Sequence, residues 1–136
     1  MANNITLGLV NPWGIASFWD QPFFISDNRV GRVTAHDATG FGVVPGSFKV
    51  PNAGWTGFDT PTGIVADQNS FFGSPTLIKP FILVTEEGTI LTWGPDAQGD
   101  IPQAATLVRS RSAAVYKGVA ILDSLLTARR WWSQIY

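Results

Sequence analysis

A chain of 136 residues falls within the range of one domain and is long enough to bury a sizeable core. Only 14% of its residues are charged and the net charge is −1, against the roughly 25% charged residues of ordinary soluble domains. This balance excludes the basic excess of a nucleic-acid-binding protein, no apolar run reaches the roughly 18 residues of a membrane span, and the lack of cysteine excludes disulfides, thiolate metal sites and a cysteine nucleophile.

Met1-Ala2-Asn3-Asn4 has neither the basic start nor the apolar segment of a secretory signal. Three stretches then repeat one pattern. The first has short apolar runs at 11–16, 22–27 and 31–37, the middle one returning through the polar turn Asp27-Asn28-Arg29. Glycine and proline punctuate 40–57, which reads as loop around an outer strand at Phe48-Lys49-Val50. The second unit runs 60–66, 80–86 and 88–93, with an insert at 68–79 and a closing stretch at 95–102. A third unit opens at 116–121 and then loses the pattern.

Apolar runs of four to six residues, bounded by Gly, Pro and Asp and joined by acidic turns, predict strands and hairpins. The leading glycines Gly14, Gly63 and Gly118 fall 49 and 55 residues apart. A short β-meander repeated at that spacing predicts an all-β chain built as a partial β-propeller, two blades plus the start of a third. The expected divisions are 7–57, 58–105 and 106–121, with a divergent tail at 122–136. Two readings of the tail stay open. Leu122, Leu125, Leu126, Arg129 and Trp132 share one helical face, and the stretch also reads as a truncation or a shifted reading frame.

Several motifs carry a resemblance. Leu9-Val10-Asn11-Pro12-Trp13-Gly14-Ile15-Ala16, then Pro22-Phe23-Phe24-Ile25-Ser26-Asp27-Asn28, resembles the opening of a family of uncharacterised bacterial propellers related to the NHL-repeat propellers. Pro61-Thr62-Gly63-Ile64-Val65, Phe81–Ile90 with Trp93, and Ala114–Ala120 resemble later motifs of that family in the same order. The resemblance implies an exported, extracytoplasmic protein, about half the length of a six-bladed ring. Half a ring leaves an apolar face and open strand edges. A homo-oligomer that completes the ring is therefore expected, with Trp131 and Trp132 as interface residues.

Chemistry is sparse. His36 is the sole histidine, so a Ser-His-Asp triad or a multi-histidine zinc site has nothing to spare, and its place predicts a hairpin or surface role. Gly40-Phe41-Gly42 lacks the third glycine and the helix of a dinucleotide fingerprint, and neither a phosphate loop nor Gly-x-Ser-x-Gly occurs. Trp13, Thr62 and Lys117 precede the repeated glycines, which predicts that they ring one axis as ligand-binding residues at a channel mouth. The plainer reading makes them packing and solvated residues. Glu86 and Glu87, read as strand neighbours, would point to opposite faces and share no site.

The leading functional expectation is a non-enzymatic binding or scaffold protein that self-associates and presents its loops to a protein or small-molecule ligand, with no cofactor. One alternative is a lactonase-like metal-dependent hydrolase, in which Asp27 and Glu86 hold a divalent cation such as calcium. Simple turn chemistry explains the same two carboxylates. The other alternative is a truncated product without activity.

Overall fold

The structure is a computed structural model that describes residues 9–17, 22–52, 57–67, 80–94, 102–111 and 113–121. Among the described residues eight strands occur: β1 (Pro12–Ser17), β2 (Phe23–Asp27), β3 (Arg32–His36), β4 (Gly42–Lys49), β5 (Pro61–Ala66), β6 (Phe81–Thr85), β7 (Thr89–Trp93) and β8 (Thr106–Ser110). They form two antiparallel meanders, β1-β2-β3-β4 and β5-β6-β7-β8. No α-helix is present among the described residues, and the chain is all-β.

The two hairpins that repeat between units turn through glycines in left-handed backbone. Gly88 (φ 78°) follows Glu86-Glu87, and Gly31 (φ 62°) ends the 3-10 turn Asn28–Val30. A side chain at either would be strained, so each meander needs glycine there. The strand registers then coincide between sheets. Phe23 lies opposite His36 and Ile25 opposite Thr34 across β2–β3. Phe81 lies opposite Trp93 and Leu83 opposite Leu91 across β6–β7. Both first hairpins also carry a register shift, after Pro12 in one and Pro61 in the other.

Because side chains alternate across a strand, each sheet has two usable faces. The first sheet turns Phe24, Val33, Ala35 and Phe48 inward, and the second meets them with Ile64, Phe81, Leu83, Leu91 and Trp93. Phe48 and Trp93 stack at 4.0 Å with only 6° between planes, and Phe24 lies 4.5 Å from Phe81. The Trp93 indole N–H donates to the Pro102 carbonyl at 2.9 Å, so its polar edge is satisfied. At the outer edges Lys49 bonds Gln103 and Ala105 through the backbone, joining the end of β4 to the approach of β8.

The inner strands approach still more closely. A Cβ on Gly14 would lie 2.7 Å from the Thr62 carbonyl and 2.9 Å from the Ile64 nitrogen. A Cβ on Gly63 would lie 2.7 Å from the Val119 nitrogen and 2.9 Å from Gly118. The same contact therefore occurs twice, β1 on β5 and β5 on the 116–121 segment, and only glycine leaves room for it. A Cβ on Gly118 would meet nothing within 4 Å.

Two sequence expectations are revised. The outer strand of the first sheet spans Gly42–Lys49, well beyond 48–50, because a register shift between Thr34 and His36 absorbs the Pro45-Gly46 step. The fourth strand of the second sheet is Thr106–Ser110, paired with β7, so the second unit extends past residue 105. All five residues of that strand are exposed, and outward Leu107 and Val108 disguise its alternation. The tail at 122–136 lies outside the described residues.

Gly14→Ala and Gly63→Ala should each cost about 1–3 kcal/mol, the range for forced overpacking, whereas Gly118→Ala should be nearly neutral. Chemical denaturation of the three variants checks this ordering.

Candidate functional site

The residues just ahead of the inner strands gather at one end of the sheets. Asn11, in left-handed backbone at φ 55°, accepts the Asn28 amide through its carbonyl and donates its side-chain amide to Asn28 Oδ1 at 3.1 Å. The Asn28 side-chain amide donates onward to the Pro61 carbonyl at 3.3 Å and to Glu86 Oε2 at 3.2 Å. Glu86 in turn pairs with the Lys117 ammonium. One polar chain thus runs from the first inner strand through the second to the 116–121 segment.

Trp13 and Lys117 meet here, although 104 positions separate them in the sequence: the ammonium stands 5.1 Å from the indole centroid. Both are exposed. The Lys117 ammonium, then the Asn28 amide, hold the Glu86 carboxyl below the usual glutamate range. Thr62 does not join them. It is buried, and its hydroxyl lies 2.8 Å from the Tyr116 carbonyl and 3.2 Å from the Val84 carbonyl, between which its one hydrogen is shared. Thr62 is therefore a tie between β6 and the third inner segment, away from the exposed Trp13–Lys117 pair.

The expectation that Glu86 and Glu87 diverge is wrong. They sit in the turn between β6 and β7 and not on a strand, and both reach Thr60. Thr60 Oγ1 is 2.6 Å from Glu87 Oε1 and 3.3 Å from Glu86 Oε2, and the Thr60 amide donates to Glu87 Oε2 at 2.8 Å. Asp27 and Glu86 are engaged separately. Asp27 accepts the Val10 amide at 3.3 Å and the Thr34 hydroxyl at 2.7 Å, while Glu86 serves Asn28, Thr60 and Lys117. Both Asp27 oxygens have protein partners, and no group of three or more His, Asp or Glu is placed to hold a metal ion among the described residues. His36 is buried at the end of β3, bonded to Thr34 and to the Gly40 carbonyl, as befits a hairpin residue. Trp131 and Trp132 lie outside the described residues.

Asn28, Thr60 and Asp59 are the residues that sequence reasoning missed. Aligning the two units on Pro12 and Pro61 places Asn11 with Thr60, and the paired hairpins place Asn28 with Glu86, which is the signal that finds them. Asp59 is fully buried ahead of β5. Its Oδ2 is 2.6 Å from Thr89 Oγ1 and 3.3 Å from Thr85 Oγ1, which are themselves 2.6 Å apart. Its Oδ1 is buried without a partner. Two hydroxyl hydrogens cannot serve three oxygen contacts, whereas a protonated Asp59 supplies the third. Burial lifts this carboxyl above the ordinary aspartate range, against the lowering effect of Thr89, with the Glu87 charge adding to the rise. A void of about 10 Å³ lies beside Phe24, Phe48, Trp93 and Pro102, space for no more than a water.

No family model matches the chain, and no solved structure matches it. An uncharacterised protein of Acanthamoeba polyphaga mimivirus, R648, is 29% identical over 126 residues, covering 87% of this chain and 30% of the viral protein. The chain thus spans under a third of the length of the relative it matches. No helix among the described residues is long and apolar enough to cross a membrane.

Thr62→Val should destabilise the fold by about 1–2 kcal/mol, since it leaves the part-buried Tyr116 carbonyl without this donor, while Lys117→Gln should cost under about 1 kcal/mol as an exposed pair. Denaturant melts distinguish the two. The raised Asp59 carboxyl means that the folded state holds its proton more firmly than the unfolded one. Its contribution is complete below the unfolded value of about 3.9 and disappears as pH rises through the folded value. Asp59→Asn should therefore leave stability at pH 4 nearly unchanged and raise the melting midpoint at pH 7 by about 3 °C. A thermal melt series from pH 4 to 7 reads the difference.

Proposed function

We propose that the chain is a non-catalytic assembly module of the β-propeller kind, two blades and the first strand of a third, that binds further copies of itself through the outer face of its first sheet. The observation that carries this reading is a comparison of matched positions. Ile64 is 6% exposed where the first sheet covers it, and its counterpart Ile15 is 63% exposed. Phe81 is 3% exposed and its counterpart Phe23 is 41% exposed. The same apolar positions are filled in one sheet and bare in the other, as in a stack whose first member lacks a neighbour.

The repeated glycine contact supports a stack that continues: β1 is covered by β5, β5 by the 116–121 segment, and Gly118 presents the same open approach. The viral relative's greater length is in keeping with more units of the same type. At the axis end of the inner strands, Trp13, Lys117 and Glu86 form the exposed aromatic and charged group best suited to a small or peptide ligand.

Light scattering with size exclusion tests the assembly. The chain should elute as a discrete dimer or trimer, and Ile15→Lys with Phe23→Lys should reduce it to a monomer that still melts cooperatively. A wild-type monomer at concentrations up to about 100 μM, well above the micromolar range of ordinary weak association, contradicts the proposal.

A further inference from the structure

The contact that joins the inner strands has two sides, and the chain carries one unfilled example of each. On one side is a glycine: a Cβ on Gly14 would lie 2.9 Å from the Ile64 nitrogen and 3.3 Å from Ile64 Cγ2. On the other is the aliphatic residue after the next unit's glycine, here Ile64, whose side chain lies against Gly14. The step recurs from Gly63 to Val119, whose nitrogen would lie 2.7 Å from a Cβ on Gly63. Gly14, Gly63 and Gly118 are each followed by a β-branched residue, Ile15, Ile64 and Val119. Neighbours on a strand point to opposite faces, so Gly63 looks forward to the next unit and Ile64 looks back to the last.

Both ends of this series are bare. Ile15 occupies the place in the β1–β2 register that Ile64 occupies in β5–β6, yet it is exposed where Ile64 is covered. Gly118 is exposed too, and a Cβ there would meet nothing within 4 Å among the described residues. One end therefore offers an aliphatic side chain with no glycine against it, and the other a glycine with no aliphatic side chain against it. They cannot meet within one copy, because β5 stands between β1 and the 116–121 segment in the series. What fits Gly118 is an inner strand with a β-branched residue one place after its glycine, and β1 of a second copy is such a strand. A net charge of −1 leaves little repulsion between copies.

We propose that copies of the chain associate head to tail, with Ile15 at the front of one seated on Gly118 at the back of the next. This supplies the second half of the self-association proposed above and rests on that reading. Two copies joined front to front would set Ile15 against Ile15 and leave Gly118 bare. The head-to-tail contact instead joins two different patches, and so closes as a ring or runs on as a filament. It repeats a packing that the chain already makes twice and needs no new geometry. The Ile15 amide takes the place beside Gly118 that the Ile64 amide holds beside Gly14. A side chain at position 118 then has room within one copy and collides between copies.

Blocking one end at a time tests this, by light scattering with size exclusion at about 100 μM on variants that melt cooperatively. Gly118→Val leaves the front intact and should run as a monomer. Ile15→Lys with Phe23→Lys leaves the back intact and should do the same. Mixed in equal amounts, the two should form a heterodimer and nothing larger, because one usable junction remains. Gly118→Ala, the mildest change, should weaken wild-type association about tenfold or more, as forced overpacking does, without loosening the fold of the single copy. If both Gly118 variants associate like the wild type while the Ile15 and Phe23 double variant does not, the head-to-tail contact is wrong and self-association through the first sheet stands. A mixture that stays monomeric also overturns the head-to-tail contact. A monomeric wild type overturns both.

Discussion

The contact on which the structure depends is the approach of one inner strand to the next across a glycine. Gly14 and Gly63 remove the atoms that would otherwise hold the strands apart, by an amount that backbone neighbours cannot yield. Once the inner strands are that close, the faces behind them must mate. Phe24 and Phe48 then fall against Phe81 and Trp93, and the apolar burial that stabilises the molecule follows from the spacing. Neither meander has a second layer of its own, so each serves as the other's core.

Polar groups in this setting tie the two sheets and the third inner segment together. Asn28 links the hairpin of the first sheet to the inner strand of the second, and Glu86 makes the equivalent step to Lys117. Thr62 does the same in the interior, through two carbonyls. These links run in the direction in which the inner strands stack, which is why residues far apart in sequence, such as Trp13 and Lys117, come within a few ångströms. Buried acids lie at the strand ends of the same architecture. Asp27 and Asp59 both sit against threonine hydroxyls near the strand ends, where an aspartate can be held only if its charge is muted or shared.

Much of this was legible in the sequence. Six of the eight strands fall where short apolar runs were bounded by glycine, proline and acidic turns, because strand and turn chemistry are both local. The outer strands were harder. Gly42–Lys49 contains proline and glycine, and Thr106–Ser110 turns Leu107 and Val108 toward solvent, so neither shows the period-two signature of a half-buried strand. At the candidate site, position in the repeat brought Trp13 and Lys117 together, while Thr62, picked out by the same rule, is buried with its hydroxyl on two backbone carbonyls. A threonine looks alike in sequence whether its hydroxyl faces a ligand or two carbonyls. Glu86 and Glu87 were misread because a strand was assumed where the chain turns, and in a turn adjacent side chains can converge on Thr60.

If each sheet is the other's core, neither can open alone. Native-state hydrogen exchange tests this most directly, by comparing the opening free energy of central amides in β2 and β3 with those in β6 and β7. Equal values at the global unfolding free energy are expected for both sheets. A first sheet whose amides exchange by their own, markedly cheaper opening while the second stays protected would contradict the account.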